Sequence, residues 1–169
     1  MTSQVRDKVN TYSPTGNAGK SASGGNAPKF YSSLTGEIKT PWTETYIYED
    51  PSDKKSKIIG RHVEIKLVKT FNETSGTLVS YPVKNGHGVW WQYEAMQHAI
   101  TWGLVEKKGA HYNFTQEFQE SLKAAGINVS GYHFHGEKNL RTEFDSNEDL
   151  SRYVLNKIRS TLFEDNQVS

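Results

Sequence analysis

The chain has 169 residues, with 20 Lys and Arg and 19 Asp and Glu. Its formal net charge of +1 is too small to bind a polyanion by overall charge alone. Proteins that bind nucleic acid by electrostatics alone are more basic, and any such contact here must come from a local patch, from backbone amides or from assembly into an array. Cysteine is absent from the sequence, which excludes disulfides and thiolate metal sites. No apolar run approaches the ~18 residues of a membrane span and no signal-peptide pattern follows Met1, so we expect a soluble, cytoplasmic protein without membrane contact.

Residues 1–28 are polar and rich in Gly, Ser, Asn and Thr, a composition typical of a segment that is flexible until it binds a partner. Two glycine clusters and Lys20 lie between about Ser13 and Asn26. A glycine-rich backbone can approach a polyanion closely and offer it free N–H groups, which indicates a phosphate-rich partner. A P-loop fits poorly, because Pro14 stands where GxxxxGK[ST] needs its first glycine and no buried strand precedes it.

The part that follows is predicted to form strands separated by exposed turns. The predicted strands cover Lys29–Lys39, Tyr46–Tyr48, His62–Phe71 and Thr77–Val83. Val63, Ile65 and Leu67 alternate with polar residues, and Pro82 indicates a strand end or a sheet edge. The lysine-rich run around Lys54 is expected to be a solvated turn.

From residue 86 onward the apolar spacing becomes helical, with short strands between. The predicted elements are, in order, a helix over Val89–Trp102 that stops at Gly103, a hairpin over Leu104–Phe114 with its turn near Lys108-Gly109, a helix from the N-cap Thr115 to Gly126, a strand over Ile127–Phe134, and a last helix from Ser146. Ser146 to Asp149 has the form of a capping box, and Leu150, Val154, Ile158 and Leu162 are expected to form the buried stripe of that helix.

Two side-chain groups could carry chemistry, and each also has a structural interpretation. His133 and His135 would share one face of a strand, as in some zinc sites, but beyond His111 and Glu137 no third ligand is evident. We therefore favour the interpretation that these histidines are exposed surface residues. A metal-dependent hydrolase that uses His133 and His135 is the weakest functional hypothesis.

The aromatic group Trp90, Trp91 and Tyr93 could stack on nucleic-acid bases. Its helical spacing instead favours Trp90 and Tyr93 in the core, with Trp91 partly exposed.

Three segments, read in order, resemble the carboxy-terminal part of the RecA recombinase family. Gln4-Val5-Arg6-Asp7-Lys8-Val9, a glycine-rich loop and Gly24-Gly25-Asn26-Ala27-Pro28-Lys29-Phe30-Tyr31-Ser32-Ser33 are together similar to the family's second DNA-binding loop and the strand after it. Glu64-Ile65-Lys66-Leu67-Val68-Lys69 is similar to its lysine-bearing strand, and Gly103-Leu104-Val105-Glu106-Lys107-Lys108-Gly109-Ala110-His111-Tyr112 to its small terminal domain. The first segment is quite specific, whereas the other two would be weak alone.

The resemblance implies an α/β fold, with the C-terminal edge strands of a RecA-type P-loop ATPase core sheet followed by a small α+β C-terminal domain. The implied domains are a flexible DNA-binding loop segment over 1–28, core-sheet strands of an incomplete core over 29–85, and the small domain over 86–169. Because the strands would lie at one side of a larger sheet, we expect an unpaired edge and an exposed apolar face in this chain.

The resemblance also implies roles for individual residues. Gln4 matches a glutamine that senses the terminal phosphate of the nucleotide, and Lys69 matches a lysine that reaches the nucleotide across the subunit interface, although Phe71 replaces the second such lysine. Lys29 and Phe30 match residues that contact the neighbouring subunit of the filament. The positions implied to bind single-stranded DNA are Arg6, Lys8, Lys20, Gly24, Gly25 and Asn26.

The family's P-loop, catalytic glutamate and magnesium-holding aspartate lie upstream of the matched glutamine, so this polypeptide alone is not expected to hydrolyse ATP. ATP and Mg²⁺ would act only in the complete recombinase, and no catalytic or metal-binding residue is assigned here. The expected partners are single-stranded DNA and either further copies in a filament or the missing N-terminal ATPase part. Thr40-Pro41-Trp42 and Trp90-Trp91 differ from bacterial RecA and suit a bacteriophage version, which would act in the bacterial host cytoplasm.

Two hypotheses of different classes follow from this reasoning. The chain is either the C-terminal part of a RecA-like, ATP-dependent recombinase of homologous recombination and repair, or a stand-alone module that binds DNA or a filament without nucleotide.

Overall fold

The computed structural model describes residues 5–7, 20–22, 32–39, 41, 45–70 and 76–165. The fold is α/β, as predicted. The chain divides into two compact units, one of Met1–Ile38 and Ile65–Leu78 and the other of Lys39–Glu64 and Val79–Ser169. No helix among the described residues is long and apolar enough to span a membrane.

The described strands and helices follow each other along the chain with the strands mostly first. The strands are β1 (Val5–Asp7), β2 (Lys20–Ala22), β3 (Thr35–Lys39), β4 (Tyr46–Tyr48), β5 (Ile58–Lys69), β6 (Leu78–Lys84), β7 (Gly88–Val89), β8 (Val105–Lys108), β9 (His111–Phe114) and β10 (His133–His135). The helices are α1 (Trp91–Thr101), α2 (Gln116–Ala124), α3 (Glu137–Ser146) and α4 (Glu148–Asp165). The described strands form sheets of order β1-β2, β10-β9-β8 and β3-β5-β6-β7, and β4 also pairs with β5. The pairs β1–β2, β4–β5, β6–β7, β8–β9 and β9–β10 are antiparallel.

The first strand pair lies in the segment that was expected to be flexible. β1 and β2 pair antiparallel, with Arg6 opposite Ser21 and Asp7 opposite Lys20. This pairing was not predicted, because neither strand has the apolar alternation by which a strand is recognised in sequence.

The longer strands agree with the sequence prediction in place and differ at their ends. β4 has the predicted bounds, and β5 begins four residues before His62, the predicted start. Of the predicted strand Lys29–Lys39, residues 32–39 are described, and within them β3 begins at Thr35. Burial in β5 does not alternate, since every residue from His62 to Leu67 is half-buried. Pro82 stands near the end of β6, and its carbonyl accepts the backbone N–H of Trp90 at 2.8 Å.

The core of the second unit is built from one side of each helix and the inner face of the β8–β10 sheet. α1 ends as predicted at Gly103, whose φ of 71° permits the left-handed turn. Val89 was wrongly placed in this helix, because it pairs with Val83 in the β6–β7 ladder and is exposed. The fully buried large side chains include Trp90, Met96, Phe118, Leu122, Leu140, Phe144, Leu150 and Val154.

The predicted hairpin and second helix are confirmed. β8 and β9 turn around Gly109, and the Thr115 hydroxyl accepts the backbone N–H of Phe118 at 3.3 Å as the N-cap of α2. The predicted strand over Ile127–Phe134 is wrong in its bounds, since only His133–His135 forms β10.

The last predicted helix corresponds to α4, which begins at Glu148 instead of Ser146, and a further helix, α3, precedes it. α3 was not predicted and ends at Ser146, whose hydroxyl donates to the Glu143 carbonyl instead of capping α4. The cap of α4 is Asn147, whose Oδ1 accepts the backbone N–H of Leu150 at 3.1 Å. Leu162 is about half exposed rather than part of the buried stripe.

Gly60 in β5 is a position where the packing of the second unit requires glycine. A Cβ at Gly60 would lie 2.6 Å from the Val83 carbonyl oxygen and 3.2 Å from the Trp90 ring. Since backbone and a buried indole cannot give way cheaply, we expect Gly60→Ala to lower the free energy of unfolding by about 1–3 kcal/mol in urea denaturation. Gly131→Ala is the matched control, because a Cβ at Gly131 would have no neighbouring atom within 4 Å. Equal stability of both variants would contradict the prediction.

Candidate functional site

Most of the site residues implied by the family resemblance lie outside the described residues. These are Gln4, Lys8, Gly24, Gly25, Asn26, Lys29 and Phe30. Arg6 and Lys20 lie on the paired strands β1 and β2, one register position apart, so the structure brings their backbones together. Lys69 is the last residue of β5 and is half-buried.

Aliphatic side chains are exposed on the strands near Lys69. Ile38 at the end of β3 is 71% exposed, and Leu34 and Val68 are each about half exposed or more. Leu78 and Val79 are consecutive on β6, and their exposures are 57% and 49%. Because successive strand residues point to opposite faces, apolar surface is exposed on both faces of β6. The expected exposed apolar face is therefore confirmed, and it extends to two faces.

The second unit contains a cleft of about 670 Å³ beside β4. Its walls combine aromatic rings with charged and amide side chains. Its lining residues include Tyr48, His62, Tyr93, Gln97, Glu137 and Arg141.

Arg141 on α3 closes one side of this cleft and is only 4% exposed. Its Nη1 donates to the Tyr48 carbonyl at 2.9 Å and its Nη2 donates to the Glu49 carbonyl. The planar guanidinium can satisfy both carbonyls at once, which a lysine ammonium on a single atom cannot do in the same geometry. Arg141 thereby attaches the end of β4 to the helices.

Tyr93 on α1 also lines the cleft. Burial, together with the negative charge of Glu137, raises the pKa of the Tyr93 phenol well above its usual range. The hydroxyl therefore stays protonated and donates to Oε1 of Glu137 at 3.4 Å. The neutral Tyr93 phenol and the Glu137 carboxylate thus connect α1 to α3 at this cleft, which Arg141 also lines.

The aromatic group that could have stacked on bases is largely core, as predicted. Trp90 is 1% exposed and its indole N–H donates to Oδ1 of Asp145 at 2.6 Å. The other carboxylate oxygen of Asp145 accepts from Lys84 at 3.0 Å. Trp91 is half-buried beneath the guanidinium of Arg152, as its predicted partial exposure requires.

His133 and His135 on β10 are exposed, as predicted, and His111 on β9 is exposed as well. His133 faces Asn113 and His135 faces His111 across the ladder. Within the part of the chain that the structure describes, no group of three or more metal-ligating side chains occurs. A hydrolytic zinc centre with three protein ligands is therefore not formed by those residues.

Arg141 and α3 were missed because the buried side of this helix includes charged residues, which break the apolar pattern. A signal was present in Leu140 and Phe144, which are four residues apart and both fully buried.

The chain is similar in sequence to the RecA proteins over nearly its whole length, which confirms the family resemblance. Its relatives include Protein RecA of Ehrlichia chaffeensis, 26% identical over 150 residues that cover 89% of this chain and 36% of the relative. Protein RecA of Xylella fastidiosa is 31% identical over 153 residues, covering 88% and 41%. DNA repair protein recA homolog 3, mitochondrial, of Arabidopsis thaliana is 24% identical over 162 residues, covering 96% and 32%.

The chain thus spans between about a third and two fifths of the length of these relatives. No family model matches it.

The junction formed by Arg141 can be tested by a conservative substitution. We expect Arg141→Lys to lower the free energy of unfolding by about 2–3 kcal/mol, because a buried carbonyl loses its charged donor. Arg152→Lys is the matched control on α4, since Arg152 is exposed and pairs with Glu148 one helical turn away, and such a pair contributes about 0.5 kcal/mol or less. Urea denaturation of both variants measures the difference, and an equal loss in the two would contradict the assigned role of Arg141.

Proposed function

We propose that this chain supplies the C-terminal part of a RecA-like recombinase that acts in DNA recombination and repair. The ATPase motifs would be carried by the N-terminal part of the recombinase. The proposal is supported by the similarity to RecA proteins, which covers 88–96% of this chain in the three relatives named but only 32–41% of theirs. A module that corresponds to about a third of a RecA protein would act as a recombinase only together with the remaining two thirds.

The observation that carries the proposal is the aliphatic surface exposed on both faces of β6. Sheets covered on both faces occur in α/β cores, where helices pack on either side. Water-exposed aliphatic groups such as Leu78 and Val79 gain about 25 cal/mol for each Å² that a partner buries. An N-terminal ATPase part of the RecA type would cover such strands. In this arrangement residues 29–85 would belong to the core sheet and residues 86–169 to the small terminal domain.

Single-stranded DNA would be bound by the amino-terminal segment. Arg6, Lys8 and Lys20 would neutralise phosphates, and the amides around Gly24, Gly25 and Asn26 would lie along the backbone. Contacts of this kind position a strand without reading its sequence, which leaves the bases available for homologous pairing. The nearly neutral net charge of the whole chain makes this local segment, rather than a general basic surface, the proposed site of contact.

Nucleotide would be bound mainly by the ATPase part, where ATP and Mg²⁺ supply the phosphoryl-transfer chemistry. From this chain Gln4 would sense the terminal phosphate, and Lys69 would contact the nucleotide across a subunit interface. The position of Lys69 at the end of β5 is compatible with such a reach. Lys29 and Phe30 would contact the next subunit of a filament.

The alternative is a stand-alone module that binds DNA or a recombinase filament without nucleotide. It shares the DNA contacts but predicts that ATP and an ATPase partner make no difference to binding. A reading frame carrying GxxxxGK[ST] upstream of this one would favour the recombinase proposal.

The proposed DNA contacts predict a specific salt dependence. We expect fluorescence anisotropy with a labelled oligothymidylate to detect binding that weakens as salt is added. For single strands the slope of log affinity against log salt is about −0.7 for each neutralised phosphate, so a double variant Arg6→Ala, Lys8→Ala should reduce its magnitude by about 1.4.

Lys54→Ala, Lys55→Ala is the matched control, because these lysines lie in an exposed turn of the second unit. An unchanged slope in the Arg6 and Lys8 variant, or an equal change in the control, would contradict the assignment. Comparison with and without ATP and an ATPase partner distinguishes the recombinase from the stand-alone module.

The exposed strands predict self-association of the chain in the absence of a partner. We expect wild-type protein to elute above monomer size and to bind the dye ANS, and Ile38→Thr with Leu78→Thr to reduce both effects, since threonine keeps the strand propensity but adds a hydroxyl. Leu162→Thr is the control, because Leu162 is similarly exposed on α4 instead of the sheet. A wild-type chain that elutes as a monomer without ANS binding would argue against the surface being a docking face.

A further inference from the structure

The exposed face of the β9–β10 ladder brings two imidazoles together. His111 and His135 are direct cross-strand partners, and their ring centroids are 4.9 Å apart at an interplanar angle of 65°. The next pair along the ladder is hydrogen-bonded, because the Gly136 N–H donates to the Ala110 carbonyl at 2.7 Å. Since hydrogen-bonded and non-hydrogen-bonded pairs alternate in an antiparallel ladder, His111 and His135 form a non-hydrogen-bonded pair, the kind in which side chains approach most closely.

The third histidine of this face, His133, is hydrogen-bonded to a different residue. His133 is opposite Asn113, and its Nδ1 donates to Oδ1 of Asn113 at 2.8 Å. It is two residues from His135 along the strand, which is about 6.6 Å at the rise of a β-strand. His133 therefore belongs to the next row of the sheet and is a suitable internal control for the His111–His135 pair.

The positively charged lysine next to the pair is itself paired with a carboxylate. Lys108 is the partner of His111 on β8, but its ammonium pairs with Glu106 at 2.7 Å. The positive charge next to the imidazoles is therefore partly neutralised. The opposite side of the ladder is anchored by the buried Tyr112 and Phe134, so the two backbones that carry the histidines are held in fixed register.

We propose that His111 and His135 form a bidentate surface site for a first-row transition-metal ion, with Zn²⁺ as the natural candidate. Neutral imidazole nitrogen is a preferred ligand of Zn²⁺, Ni²⁺ and Cu²⁺, whereas Mg²⁺ prefers oxygen. Two protein ligands leave the remaining positions to water, so the site binds a metal without forming a three-ligand catalytic centre. The bound ion links β9 to β10 and stabilises the terminal sheet, and this inference stands apart from the proposed function in recombination.

The test is isothermal titration of the full chain, without DNA, with ZnCl₂ in a non-chelating buffer. We expect one saturable ion per chain. Loss of an outer-shell partner alone typically weakens metal binding by about tenfold or more, so removal of a ligand in His111→Asn or His135→Asn should weaken it at least as much. His133→Asn and His98→Asn are the controls and should leave the affinity unchanged, since neither residue belongs to the pair. MgCl₂ should give no saturable signal, and acidification should release Zn²⁺ because protons compete for the imidazole nitrogens.

A second measurement keeps the inference testable if the heat of binding is small. Thermal unfolding should shift upward with added ZnCl₂ in the wild type and in His133→Asn, but not in His111→Asn or His135→Asn. The proposal would be overturned if the wild type showed no saturable Zn²⁺ binding, if His111→Asn and His135→Asn bound Zn²⁺ as tightly as the wild type, or if His133→Asn lost as much affinity as they do.

Discussion

The hydrogen bonds from the buried guanidinium of Arg141 to the Tyr48 and Glu49 carbonyls connect the end of β4 to α3. A charge at 4% exposure is tolerated only when its donors are satisfied, and here backbone oxygens satisfy two of them. The ring of Trp90 lies 5.9 Å from the same guanidinium, and its indole N–H donates to Asp145. One side chain therefore links the end of β4, the wall of the cleft and α3.

The terminal helices and the strands near Lys69 differ in how they bury apolar groups. The helices α1, α3 and α4 each carry fully buried apolar side chains, including Phe144 and Leu150, and the described residues contain no buried side-chain polar atom without a hydrogen-bond partner. In the strands near Lys69, by contrast, aliphatic groups remain exposed on both sides of β6. This contrast is the physical basis for proposing that the terminal domain folds by itself while the strands require a partner of the RecA ATPase type.

Local sequence signals predicted those elements whose ends are set by local chemistry. The end of α1 was predicted from Gly103 and the hairpin turn from Gly109, and the limits of α2 were predicted from Thr115 and Gly126. These signals work because a positive φ and a side-chain cap each depend on few residues. α3 was not found, since its buried residues Arg141 and Glu143 are charged and owe their burial to partners distant in sequence. Ser146 has a capping sequence but lies inside α3, and the next residue, Asn147, caps α4 instead.

The features of the candidate site likewise fall into those that the sequence predicted and those that it did not. The family resemblance supplied positions for the DNA and nucleotide contacts, of which Arg6, Lys20 and Lys69 fall within the described residues. Two features depend on strand register and could not be derived from spacing alone, namely the pairing of His111 with His135 and the exposure of apolar groups on both faces of β6. Spacing had instead grouped His133 with His135, which share a strand but not a row.

If the strands around Lys69 require a partner and the terminal helices do not, the two should differ in hydrogen–deuterium exchange of the isolated chain, because exchange reports the local free energy of opening. We expect strong protection of the amides in Trp91–Thr101 and Glu148–Asp165 and fast exchange in Ile65–Lys69. Protection of Ile65–Lys69 equal to that of the helices would contradict this expectation.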